Sequence, residues 1–394
     1  MRKGVLMDIP VKKNEEYVVD IIDNGYEGEG IAKIDGFTIF VNGVIKGERC
    51  KIAITKVTSS HGFARLIEIL KKSEYRVEPD CFTYKRCGGC SLRHIDYDET
   101  LNIKQEKVQN LVNKTLKNKI EVNRTLEMGN PYNYRNKAQY PVGTDKSGRP
   151  IFGIFANRTH EIIPIQECHI QKRISCEIAD FVLSEMEKFN ISVYNEKTGK
   201  GLVRHIITNV IMGQKNFSIV GRGYITDRLG DFVFKISPMS FYQVNPVQAE
   251  ALYNIAIEKA NITKDDVVCD LYCGIGTIGI FASKFAKKVY GIEIVSQAIE
   301  DARVNANLNK INNIEFICGD VEEAFDELIK KEKVKPDVII VDPPRRGLDV
   351  KTIGNIIKLK TSRVVYISCN PATMVRDLKL MEELYEVVEV QPVD

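Results

Sequence analysis

Cys369 follows the apolar run Arg363-Val-Val-Tyr-Ile-Ser368 and precedes Asn370-Pro371. A thiolate is the most nucleophilic of the ordinary side chains, so a cysteine at the end of such a run is a candidate for covalent catalysis. Asp342-Pro-Pro-Arg345-Arg346-Gly347 ends a similar run, and its prolines can continue neither strand nor helix, so they turn the chain outward. A third segment, Asp270-Leu-Tyr-Cys-Gly-Ile-Gly-Thr-Ile-Gly279, has glycines that let the backbone approach a ligand. Glu293 ends the next apolar run, where its carboxylate can accept hydrogen bonds from both hydroxyls of a ribose. Asp320, after the third run, can accept from an adenine amino group. The glycine spacing would also suit NAD. Asp270 at its head, however, repels a pyrophosphate and suits a cationic sulfonium, which favours S-adenosylmethionine.

A separate group is Cys81-x5-Cys87-x2-Cys90, with Cys168 as a possible fourth thiolate. Four thiolates hold either tetrahedral zinc or a 4Fe-4S cluster, and the spacing leaves both open. Tyr134-Arg135-Asn136-Lys137, with Arg149 and Arg158 nearby in sequence, combines cations and an aromatic ring in the way phosphate contact and base stacking require.

These residues need a frame. From Asp265 onward, apolar runs (Val267–Tyr272, Lys288–Glu293, Glu315–Asp320, Asp337–Asp342, Arg363–Ser368) alternate with amphipathic stretches. That pattern predicts βαβ units and a doubly wound parallel sheet, whose carboxyl edge would carry all three chemical segments. Residues 15–70 instead alternate short β-rich runs with glycine turns, which predicts a small OB-like barrel. A helix is expected from Tyr97 to Leu116, and residues 125–235 read as a mixed α+β region.

The expected fold is therefore multidomain α/β. An OB-like β-barrel occupies residues 1–72, an α+β middle domain with the cysteine cluster 73–236, and a Rossmann-like domain 237–394. Charge decides little here: Lys plus Arg number 56 and Asp plus Glu 53 in 394 residues, a net +3. Any nucleic-acid contact must come from local patches. No apolar run reaches the ~18–20 residues of a membrane span, and the first residues hold no signal-peptide core, so a cytoplasmic protein without membrane contact is expected.

Asp342-Pro-Pro-Arg, Ser368-Cys-Asn-Pro-Ala-Thr, Ser240-Phe-Tyr-Gln-Val-Asn245 and Asp270-Leu-Tyr-Cys-Gly-Ile-Gly together resemble the RNA uracil-5 methyltransferases that use S-adenosylmethionine. Residues 15–70 look like that family's TRAM barrel. The resemblance implies that Gln243, Tyr272, Glu293 and Asp342 bind the cofactor and that Cys369 is the nucleophile. It implies a 4Fe-4S cluster on Cys81, Cys87, Cys90 and Cys168. It also implies a monomer acting on single-stranded or loop uridine, expected in 23S ribosomal RNA rather than transfer RNA. Two departures stand out. The stretch between His205 and Phe232 is shorter than in relatives. Relatives also continue beyond Asp394 into a His-Val-Glu segment that supplies the proposed base for the C5 proton and a final strand, which would leave Tyr385–Val390 as a strand without its neighbour.

Overall fold

The computed structural model describes residues 9–25, 27–208, 223–237, 240–331 and 333–394. Two compact units divide the chain: Met1–Lys107 with Gly153–Ile165, and Val108–Phe152 with Gln166–Asp394. The stretch after His205 expected to be short lies largely outside the described residues.

Glycine turns break the first unit into β1 (Glu16–Asp20), β2 (Asp23–Asn24), β3 (Gly30–Ile34), β4 (Phe37–Val41), β5 (Arg49–Val57) and β6 (His61–Lys71). They form one sheet in the order β1-β5-β6-β4-β3-β2, antiparallel except where β4 meets β6. Period-two alternation sends Val19, Ile39, Val41, Ile52, Ile54 and Ala64 into a single core. Below the barrel core, the fully buried Glu48 accepts the Ile45 N–H (3.0 Å) and pairs with Arg76. Burial alone would raise its pKa, but the guanidinium and the N–H donors outweigh that and hold it below the usual range.

The chain continues through α1 (Tyr97–Thr115), β7 (Ala138–Thr144), β8 (Pro150–Phe155), β9 (Ile162–Pro164), α2 (Arg173–Lys188) and β10 (His205–Thr208). β7 pairs antiparallel with β10 and with the start of β8, while the end of β8 pairs with β9. A hairpin follows, β11 (Ile225–Leu229) and β12 (Phe232–Ile236), then α3 (Pro246–Ala260).

The rest of the second unit is β13 (Val267–Leu271), α4 (Thr277–Ser283), β14 (Lys288–Glu293), α5 (Ser296–Leu308), β15 (Ile314–Cys318), α6 (Val321–Lys330), β16 (Val338–Val341), α7 (Val350–Leu359), β17 (Arg363–Tyr366) and α8 (Pro371–Met381). The five strands are all parallel, in the order β15-β14-β13-β16-β17. β13 is thus the switch point, and in such sheets the ligand crevice opens at the carboxyl ends beside it. Tyr385–Val390, expected as a further strand, lies outside the sheet without regular structure. The end of the chain pairs elsewhere: the Asn123 N–H donates to the Val390 carbonyl (3.0 Å) and the Leu126 N–H to that of Pro392 (2.9 Å). Val390 packs with Val112, Leu116, Val122 and Val375.

One face of α5 completes the hairpin. Asp301, Asn305 and Asn309 lie one turn apart along it and meet the open edge of β12. Asn309 accepts from the Val233 N–H (2.9 Å) and donates to the Val233 carbonyl (2.8 Å). Asn305 does the same for Lys235 (2.7 and 3.1 Å), and Asp301 accepts the Ser237 N–H (3.0 Å). Side chains thereby take the place of a third strand along the β12 edge. Asn305, fully buried, also donates to the Ile275 carbonyl in the glycine turn (3.2 Å). Asn305→Ala leaves all three of those backbone groups unpaired and should cost about 3 kcal/mol or more, since each orphaned group costs ~1–3. Denaturant unfolding monitored by circular dichroism measures this; a loss under about 0.5 kcal/mol would mean that the ladder is ornamental.

Candidate active site

The glycine turn between β13 and α4 takes its shape from three residues with positive φ: Tyr272 (67°), Gly274 (55°) and Gly276 (81°). Gly276 has no alternative, because a Cβ there would sit 2.7 Å from the Phe316 ring. Glu293, at the carboxyl end of β14, uses one oxygen to accept the Gly274 N–H (3.2 Å) and the other to accept that of Val295 (2.9 Å). It therefore braces the turn as well as offering a carboxylate beside it. Tyr272 donates its hydroxyl to Asp349 (3.4 Å), which caps α7 through the Thr352 N–H (2.7 Å). Burial, with Asp349 nearby, raises the Tyr272 phenol above its ordinary range.

Asp270 lies beneath the turn with no solvent exposure. One of its oxygens accepts the Gly279 N–H (2.7 Å), and the other is buried without a hydrogen-bond partner. Burial pushes its carboxyl up to about 8, and the negative charges of Asp342 and Glu293 add to the effect against the single N–H donor. Asp342, at the end of β16, is pushed up to about 6 by burial. An unpartnered buried oxygen among three carboxylates is what a site for a positively charged ligand looks like when read from donors and acceptors alone. That observation fits a sulfonium cofactor.

Gln243 approaches from the loop after β12. Its carbonyl accepts from the Asn136 amide (3.0 Å), and the Asn136 N–H donates to Val244 (2.9 Å). The buried Tyr253 phenol on α3 lies against Gln243, Thr277 and Asp342. The sequence suggests Asn136 as part of a surface patch for RNA. It is instead buried and holds the Gln243 loop in place. Asp320 is exposed and caps α6 through the Glu322 N–H (2.9 Å).

Cys369 is exposed at the end of β17. The loop that carries it is clasped to the Asp342-Pro-Pro-Arg loop. Asn370, the cap of α8, donates its amide to the Arg345 carbonyl (3.0 Å), as Thr373 does with its hydroxyl (3.2 Å), and Arg376 donates to the Arg346 carbonyl (2.8 Å). Asp377, wholly buried, accepts from the Leu348 N–H and the Tyr366 hydroxyl, both at 2.8 Å. Gly347 (φ 80°) passes so close that a Cβ would fall 2.4 Å from the Asp377 carboxylate. The Cys369 segment and the proline loop are thus held together by several hydrogen bonds. Sequence reading missed Tyr253, Asp349, Asp377 and the positioning part played by Asn136; only the capping spacing of Asp349 and Thr352 offered a signal.

Cys81, Cys87 and Cys90 share one loop of the first unit, and Cys168 belongs to the second. All four are partly exposed and free of disulfides. Cys87 already accepts the Gly89 N–H on sulfur (3.4 Å), and Gly88 is pressed so close to the Phe155 carbonyl that only glycine fits. The donor chemistry suits a thiolate-bound centre. Among the described residues, however, no three Cys, His, Asp or Glu side chains gather closely enough to hold an ion, so the expected ligand set is not assembled. No helix among the described residues is long and apolar enough to cross a membrane.

Comparison with known proteins gives this geometry its context. A model of the tRNA (uracil-5-)-methyltransferase family matches residues 201–394, and a TRAM-domain model matches residues 10–67. Uncharacterised RNA methyltransferases of Clostridium tetani and Clostridium acetobutylicum are 41% and 42% identical to this chain, each alignment covering 98% of it and 95% of the relative. The crystal structure of Pyrococcus abyssi tRNA (uracil-54, C5)-methyltransferase in complex with S-adenosyl-L-homocysteine superimposes with a TM-score of 0.76 at 25% identity, covering 96% of this chain and 95% of that one. The chain belongs to the RNA uracil-5 methyltransferase family, with an N-terminal TRAM domain. It is an S-adenosylmethionine-dependent RNA methyltransferase.

Asp270 makes stability depend on pH. Between the ordinary carboxylate range and about pH 8 the folded chain keeps a proton there that the unfolded chain has released. Unfolding free energy therefore falls as pH rises through that window and levels off above it. Asp270→Asn should match the parent protein near pH 4 and melt at a higher temperature at pH 8. Scanning calorimetry across the window reads the difference, and equal melting temperatures at pH 8 would mean that the parent carboxyl carries no extra proton.

Proposed function

We propose that this enzyme methylates C5 of a uridine in RNA, expected in 23S ribosomal RNA, through a covalent bond between Cys369 and C6 of the base. The observation that carries the reading is the clasp that fixes an exposed thiol beside the Asp342 loop at the sheet edge. C5 of uracil is too weak a nucleophile to take a methyl group unaided. Addition of the Cys369 thiolate to C6 pushes the C5–C6 electron pair toward C5 and the C4 carbonyl. S-adenosylmethionine, when bound, supplies an electrophilic methyl on a cationic sulfur. Gln243, Tyr272, Glu293 and Asp342 would hold it, with Glu293 placed for the ribose hydroxyls and Asp320 near the adenine. The partly buried Asp342, pushed up only to about 6, would set a negative potential where the sulfonium sits. After C5 is methylated its proton leaves to a general base, the double bond re-forms, and the Cys369 sulfur is expelled. The uridine must leave its stack to reach the edge, which favours single-stranded or loop RNA.

Transfer RNA is a second reading, favoured by the likeness to the Pyrococcus abyssi tRNA (uracil-54, C5)-methyltransferase. Mass mapping of 5-methyluridine in ribosomal and transfer RNA from a deletion strain separates the two. For the mechanism, Cys369→Ala should abolish methyl transfer from labelled cofactor to total RNA while binding S-adenosylmethionine within about twofold of the parent. Residual turnover above a hundredth of the parent rate would remove the covalent step.

We infer further, from the family resemblance and the partly exposed cysteines outside any disulfide, that Cys81, Cys87, Cys90 and Cys168 carry a 4Fe-4S cluster. Protein purified without oxygen should be brown, with about four irons per chain. Replacement of any of the four by Ser should bleach it. A colourless protein with one zinc would decide for the other metal.

A further inference from the structure

The outer face of the barrel carries an aromatic group that its core does not need. Ile39, Val41, Gly62 and Ala64 turn inward along β4 and β6, so Phe40, His61 and Phe63 stand on the opposite side, each partly exposed. The parallel ladder sets Phe40 opposite Phe63. Their rings lie side by side at 5.8 Å, only 32° from parallel, and His61 stands edge-on to both at 5.5 and 5.1 Å. Cross-strand aromatic pairs do steady a sheet, but here cations gather round the rings as well. The Arg158 guanidinium lies 5.5 Å over the Phe63 ring, from a turn in which Arg158 takes a left-handed φ of 59°. Lys56 sits opposite Phe63 in the β5–β6 ladder, and Arg65 follows on the same face of β6. Lys56, Arg65 and Arg158 are exposed, and among the described residues none of them makes an ion pair. Flat rings flanked by cations that no carboxylate neutralises are complementary to a chain of bases and phosphates.

We propose that Phe40, His61, Phe63 and Arg158 form a nucleobase-stacking platform on the TRAM barrel for a single-stranded stretch of the RNA substrate, resting on the reading of this enzyme as one that acts on RNA. Bases stack along the Phe40 and Phe63 rings and against the Arg158 guanidinium, while Lys56 and Arg65 take the neighbouring phosphates. Such stacking is tolerant of sequence, because every base has a π face. The platform therefore grips RNA without choosing the base that is methylated.

The test compares two fluorescein-labelled probes of equal length and charge on the full chain, a twelve-nucleotide oligouridine and its abasic ribose-phosphate counterpart. The unaltered protein should prefer the oligouridine. A Phe40→Leu, Phe63→Leu double variant keeps apolar bulk but loses the π faces; it should bind oligouridine roughly tenfold more weakly and the abasic probe equally well. Unchanged oligouridine affinity in that variant overturns the platform. Arg65→Gln, at an exposed position of β6, should lower the log–log salt slope for oligouridine by ~0.7, the value for one phosphate contact on a single strand. An unchanged slope removes the phosphate contact assigned to Arg65. If the unaltered protein binds both probes equally, the platform fails while the RNA reading stands; if it binds neither, both fall.

Discussion

The side-chain ladder from α5 to β12 is the constraint on which the cofactor region depends. A two-stranded hairpin is marginal in water, and its free edge would fray or recruit another chain. Asp301, Asn305 and Asn309 close that edge with polar groups, and Asn305 also donates to the Ile275 carbonyl. The glycine turn and the segment leading to Gln243 are therefore tied to one helix. Asp301 extends the tie, since it also accepts from the Ser240 hydroxyl (2.8 Å) and pairs with Lys235 (3.1 Å). A shift of α5 would move both walls of the crevice together.

The Cys369 side is organised differently. The cap and first turns of α8 are joined there to the Asp342-Pro-Pro-Arg loop, and the buried Asp377 carboxylate gathers the Leu348 N–H and the Tyr366 hydroxyl. Charge-assisted bonds of this kind are among the stronger ones available, and they leave the loops few alternative conformations. The thiol stays exposed while its backbone does not move freely. For the proposed attack of Cys369 on one carbon of a large, variable substrate, that division is an advantage.

How much of this could be read from the sequence depends on the length scale of each signal. β14 has the bounds expected from its apolar run, because a buried strand is a local pattern. Cys369, Asp342 and Glu293 all fall at carboxyl ends of parallel strands, since topology and loop position follow from the same alternation. The ladder on α5 was illegible. Polar residues four apart on a helix ordinarily mark the face turned to water, and only the tertiary partner reveals otherwise. Asn136 failed for the same reason, a polar side chain between two cations that turned out to be buried. Tyr385–Val390 has the alternation of a strand, yet its partner is the 123–126 segment and not the sheet. Asp320 has the cap spacing of many helix starts, and it does cap α6.

That partnership between distant segments has a consequence for how the chain is made. Gln391 donates to the Arg124 carbonyl across 267 positions of sequence, and Val390 completes the apolar cluster begun by Val112, Leu116 and Val122. At ordinary rates of synthesis the earlier residues leave the ribosome on the order of tens of seconds before the later ones. During that interval the far end of α1 and the strip after it lack the apolar cover of Val390, and the Asn123 and Leu126 N–H groups lack their acceptors. Contacts of such long range also form late and slowly. The nascent chain should thus hold this surface in the keeping of a chaperone until Val390 and its neighbours emerge, whereas the barrel, whose strands are close in sequence, can close early.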